Sequence, residues 1–193
     1  RLAKVVKFIP NFLTAKIAES AIGPMVTARI TPYIEVKDAI SIMKSLSIPF
    51  MSQTAEFLIP AKAKNLINSL PMDLMKKVVA HLVKHHHFSV IGGFVEITDD
   101  NRVIEIANYI ESEADLCRIT SYVENKEKIV PVILHLSERK VLKLIEASFD
   151  LHLQNDLFDI FSKMNATQQK KIVAVLGKLP TKIMNDIEKH LLK

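Results

Sequence analysis

Between Glu35 and Leu82 the chain repeats itself every twelve residues, and this rhythm limits the fold more than any other feature. The four blocks are EVKDAISIMKSL, SIPFMSQTAEFL, IPAKAKNLINSL and PMDLMKKVVAHL, ending at Leu46, Leu58, Leu70 and Leu82. Seven residues before each leucine stand Ala39, Met51, Ala63 and Met75. Four before it stand Ile42, Thr54, Leu66 and Val78; three before it, Met43, Ala55, Ile67 and Val79. Spacings of three, four and seven put these side chains on one stripe of a helix. Pro49, Pro60 and Pro71 fall near block starts, where a helix has no N–H to lose. Each block therefore predicts one short helix with one apolar stripe.

A second tandem follows with a period of thirteen: TDDNRVIEIANYI, ESEADLCRITSYV, ENKEKIVPVILHL and SERKVLKLIEASF, residues 98–149. Its sixth position is always apolar (Val103, Leu116, Ile129, Leu142), as is its ninth (Ile106, Ile119, Val132, Ile145). Polar or acidic residues open each block, as helix N-termini prefer. Pro131 requires that the third helix either kink or start near Val130. The junction at 83–97 breaks the rhythm and holds Gly92 and Gly93, which predict a kinked helix or a close helix approach. The tail predicts further helices over Leu151–Met164, Ala166–Leu179 and Pro180–Leu192, with Asn165 and Thr167 as caps.

Helices this short are marginal alone and need neighbours. Stacked in sequence order they make an α-solenoid, and the expectation is one all-α repeat domain over residues 1–193. A compact orthogonal helical bundle is the alternative. Composition agrees with helices: 4 glycines, 8 prolines and no tryptophan in 193 residues are too few turn-formers for a β-sandwich. So few glycines also exclude most phosphate-cradling loops.

The segment NSLPMDLMKKVVAHL, a Leu-Pro followed by apolar residues and a closing leucine about every dozen residues, resembles the N-terminal superhelical domain of MgtE-type magnesium transporters. It also looks like the helical units of flagellar switch proteins and other armadillo- or HEAT-like arrays. The likeness covers residues 35–180 as repeat rhythm and implies a right-handed superhelix of short antiparallel helices. These units lack the dense acidic residues with which the transporter domain would bind magnesium, so the resemblance implies architecture and no metal site.

Charge is uneven. Residues 1–90 carry 12 basic and 5 acidic side chains, net +7, while residues 91–193 carry 14 and 16, net −2. Lys77, His81 and Lys84, at i, i+4 and i+7, predict a basic stripe on the Pro71–His85 helix, with Lys62 and Lys64 on the preceding unit. Such a stripe would steer a protein partner with an acidic face, or an anionic membrane surface. No dense Lys/Arg run is present, so no nucleic-acid partner is expected. The twelfth position of the second tandem offers Tyr109, Tyr122, His135 and Ser148 as a repeated contact surface.

Catalytic patterns are missing. No G-x-S-x-G elbow occurs, and Leu82 stands where a zincin motif beginning at His81 would need glutamate. Lys77 and Lys84 beside His81, His85, His86 and His87 oppose a metal, and Asp99, Asp100, Glu111, Glu113 and Asp115 lack the pattern of a calcium loop. Cys117 reads as a buried, inert thiol and suits a reducing compartment. The expectation is a cytoplasmic, non-catalytic interaction or scaffold module without cofactor. The alternative is a carrier or sensor for a lipid-like ligand, suggested by a mean hydropathy of +0.18 and 7 methionines. The sequence sets no oligomeric state.

Overall fold

The structure is a computed structural model that describes residues 9–179, 181, 183–185 and 187. Every regular element among them is helical, so the fold is all-α. No helix among the described residues is long and apolar enough to cross a membrane. The chain divides into two compact units after Arg102.

In the first unit, α1 (Asn11–Ile17) runs into a π-helical turn (Ala18–Ile22), and α2 is Pro24–Ile30. The period-twelve blocks become α3 (Val36–Met43), α4 (Ile48–Phe57), α5 (Pro60–Ser69) and α6 (Met72–Lys84). Packing joins each helix to the next but one: α1 to α3 to α5, and α2 to α4 to α6. Ala39, Met51, Ala63 and Met75 are all buried, as the spacing requires. The register of Ile42, Thr54 and Leu66 then slips by one in α6, which buries Val79 in place of Val78.

The break at the junction comes from His86 rather than from the glycines. His86 adopts a left-handed conformation (φ 61°). The N–H of His87 donates to Leu82 O at 2.9 Å and that of His86 to Val83 O at 3.0 Å, which closes α6. Gly92 and Gly93 then lie inside one helix, α7 (Phe88–Val95), with Pro60 Cγ 3.9 Å from where a Cβ on Gly93 would stand.

Helix α8 (Asp100–Tyr109) carries the boundary between the units. In the second unit come α9 (Glu113–Ser121), a 3-10 turn (Lys126–Ile129), α10 (Val130–His135), α11 (Glu138–Asp150), α12 (Gln154–Ser162) and α13 (Ala166–Leu176). Helix α11 packs on α9, α12 and α13. Pro131 sits in the first turn of α10, so it starts that helix rather than kinking one. The helix expected from Leu151 begins only at Gln154. His152 (φ 58°) ends α11 as His86 ends α6, with Leu153 N–H donating to Ser148 O at 2.8 Å. Asn165 forms a full capping box with Gln168, while Thr167 lies inside α13. The helix expected over Pro180–Leu192 lies mostly outside the described residues.

Candidate functional site

Helix α6 turns Met75, Val79 and Leu82 inward and exposes Asp73, Lys77, Ala80 and Lys84. The outer line is therefore basic, with one carboxylate four residues before Lys77. His81 is not on it. It lies about 40° round the helix from Lys77, toward half-buried Val78, and its own exposure is intermediate. Of the expected stripe, Lys77 and Lys84 are exposed and His81 is half-buried.

The imidazole of His81 stacks on His85 with centroids 4.4 Å apart, and its Nδ1 is buried without a hydrogen-bond partner. Desolvation, then the neighbouring His85, Lys84 and His87, hold its pKa below the ordinary histidine value. Glu56, from α4, comes within 3.5 Å of His87 Nδ1. No acidic residue lies in the sequence between Asp73 and Phe88. The fold supplies a carboxylate from the neighbouring helix.

The contact positions of the second tandem divide. Tyr109 ends α8, Tyr122 follows α9 and His135 ends α10, and all three are exposed. His135 Nδ1 lies 2.7 Å from Pro131 O. Ser148 is buried, its hydroxyl donating to Ile145 O at 2.7 Å, so it takes no part in an outer contact surface. The twelfth position is a helix-end position in three blocks and a core position in the fourth, because α11 runs on past it.

Several cations face inward, which the charge count could not show. Lys126 is buried and donates to Thr120 O at 2.7 Å and Val123 O at 2.8 Å, and it pairs with Asp156 at 2.9 Å. Lys140 donates to Ala107 O at 2.8 Å and Ile110 O at 2.6 Å. Arg102 donates to Leu70 O. Each closes the carbonyl end of a helix, where cations are favoured. Cys117 is buried with its thiol directed at Leu144 O, 3.4 Å away, and desolvation pushes its pKa up to about 12. A thiol in that setting is a poor nucleophile.

Asp100, Glu113 and Asp115 lie in first helical turns, and Asp115 pairs with Arg118 at 3.0 Å. Among the described residues no group of three or more His, Cys, Asp or Glu is placed to hold a metal ion.

Two apolar grooves escaped the sequence reading. One, about 100 Å³, lies in the second unit among Ile133, Phe149, Phe158, Phe161, Met164 and Val173. Phe149 meets Phe158 edge-on at 6.4 Å, and Val173 is 53% exposed at the rim. The other, about 150 Å³, lies in the first unit between α1, α2 and α3. The clustering of Phe149, Phe158 and Phe161 was the available signal for the first.

No family model, curated protein or solved structure matches this chain.

Proposed function

We propose that the chain is a non-catalytic, cytoplasmic protein-interaction module, a right-handed α-solenoid that presents helix ends and outer helix faces to a partner with an acidic surface. The observation that carries this reading is the next-but-one packing of α1 to α6, in which each short helix turns one apolar stripe inward. That is the packing rule of helical-repeat arrays, whose outer faces remain available for contacts. The repeat-level resemblance to the MgtE-type superhelical domain supports the same architecture. Lys77 and Lys84 form the basic contact, and Tyr109, Tyr122 and His135 offer exposed polar rings at successive helix ends.

The test is kinetic. A partner recovered by pull-down from native cells should bind the purified chain directly. Lys77→Glu with Lys84→Glu should then slow association by about tenfold and flatten its salt dependence, with the melting temperature unchanged. Association that ignores both substitutions would remove the basic line from the interface.

The groove around Phe149, Phe158 and Phe161 supports a second reading, a carrier of a lipid-like ligand. Native mass spectrometry of protein purified from cells would separate the two, since a carrier retains a small molecule.

A further inference from the structure

The first two helices bury the smallest residues they have. Ala15 and Ala18 of the first helical stretch and Ala28 of α2 are buried, whereas Phe12, Leu13, Ile17, Met25 and Val26 are exposed, Phe12 at 65%. Two short motifs produce this inversion. Residues 12–17 read FLTAKI and residues 25–30 read MVTARI, the same pattern thirteen residues apart. In each copy the alanine points inward, and the threonine hydroxyl donates to the carbonyl four residues back, Thr14 to Pro10 and Thr27 to Gly23. Each copy exposes two apolar side chains followed by a cation, Phe12, Leu13 and Lys16 or Met25, Val26 and Arg29. At 100° per residue these three span an arc of about 100°, with the cation between the apolar pair.

We infer that this repeated motif makes a peripheral membrane-binding surface, with the apolar pair of either copy, Phe12 and Leu13 or Met25 and Val26, entering the acyl chains of an anionic bilayer. Lys16 and Arg29 then meet the lipid phosphates. Exposed apolar side chains interleaved with cations are the pattern of helices that lie in a bilayer interface. Charge complementarity selects this occupant over a second copy of the chain. Residues 9–34 hold two basic side chains, Lys16 and Arg29, both exposed, and one acidic, Glu19. The Glu19 carboxylate is already engaged, accepting the Ser47 N–H at 2.6 Å at the start of α4. A copy docked on this face would set cation against cation. Tyr33, 73% exposed just after α2, adds an aromatic ring with a polar tip, suited to headgroup depth. The neighbouring groove, lined by Ile17, Ile22, Ile30, Ile34, Ile42 and Leu46, opens beside exposed Ile17 and gives an acyl chain somewhere to enter.

The chain has no tryptophan, so Phe12→Trp makes a unique reporter. Its emission should shift to the blue on vesicles of phosphatidylcholine with about one-third phosphatidylserine, should be quenched by brominated acyl chains, and should not respond to pure phosphatidylcholine. Co-sedimentation of the native chain with the same vesicles should fall about tenfold or more for Phe12→Ser with Met25→Ser, and again for Lys16→Gln with Arg29→Gln. These side chains are exposed, so circular dichroism and melting temperature should be unchanged. Emission that ignores anionic vesicles overturns the inference, as does sedimentation indifferent to both pairs. A concentration-dependent dimer abolished by Phe12→Ser with Met25→Ser would assign the face to a second copy. An acidic protein that protects Phe12 where anionic vesicles do not would assign the face to a protein.

Discussion

The period-twelve and period-thirteen tandems both have to start and stop short helices, and they do so with different chemistry. In the first, proline dominates the starts: Pro60 is the first residue of α5, Pro49 lies in the first turn of α4, and Pro71 precedes α6. Proline restricts the unfolded chain, so its effect at a helix start needs no polar contact in the folded one. In the second, side chains cap the starts. Ser112, Asn125 and Ser137 accept the N–H groups of Asp115, Glu127 and Lys140 at 3.2, 3.0 and 3.3 Å. Lys126 and Lys140 close the carbonyl ends. One tandem gains stability by limiting alternatives, the other by polar contacts. The first has one such cap, Ser47 accepting the Phe50 N–H at 3.4 Å, so removal of single polar groups should cost the second tandem more.

The largest effect should be common to both, because both rest on buried stripes. Leu70 is 4% exposed, and Leu70→Ala should cost about 2–5 kcal/mol. An unfolding midpoint that does not move would mean that the leucine closing the block carries no packing. Next comes the inward cation. Lys126→Met should cost about 3 kcal/mol, since it strands Asp156 and the Thr120 and Val123 carbonyls. The double variant with Asp156→Leu should recover part of that loss. If Lys126→Met is neutral, the comparison between the tandems fails at its strongest point.

Smaller effects separate the starts. Ser137→Ala should cost about 1 kcal/mol through the lost cap. Pro60→Ala should cost about 0.4–1 kcal/mol, chiefly by loosening the unfolded chain. Chemical denaturation of both variants, with high salt as a further axis, decides between them. Equal losses that share the same salt response would erase the distinction.

What was legible followed local spacing. The positions of Ala39, Met51, Ala63 and Met75, and of Ile106, Ile119, Val132 and Ile145, are buried because three- and four-residue spacing dictates a helix face. Two slips, Val79 for Val78 and Val141 for Leu142, occur in the 13-residue helices α6 and α11, and the block-closing Leu46 and Leu58 are only half-buried. Both helices end past the last residue of their block, at Lys84 and Asp150. Helix ends were less legible. His86 and His152 take the left-handed conformation that composition assigns to glycine, so nothing local marked those stops. Lys140 reaching the Ile110 carbonyl and Glu56 reaching His87 join residues about thirty apart in sequence, beyond any local pattern. The exposed face of α1 and α2 was hidden for the opposite reason: helical periodicity assumes that large apolar residues go inside.

The smallest effect concerns pH and again divides the tandems. The second tandem closes its helix ends with Lys126 and Lys140. In the first tandem His81, at the end of α6, is half-buried with an unpartnered Nδ1. Its pKa is lowered first by desolvation and then by His85, Lys84 and His87, while Glu56 reaches His87 rather than His81. The folded state therefore binds fewer protons at this site than the unfolded chain, whose histidine titrates near about 6.5. Stability contributed by neutral His81 is whole above that pH and declines as pH falls through the unfolded value toward the lower folded one. Melting temperature measured from about pH 8 to pH 5 should hold level and then fall below about 6.5. His81→Gln should flatten that fall, whereas His86→Gln, at an exposed ring, should leave it in place. If the fall persists unchanged in His81→Gln, the titrating group lies elsewhere and the end of α6 is no more sensitive to pH than the lysine-capped helices.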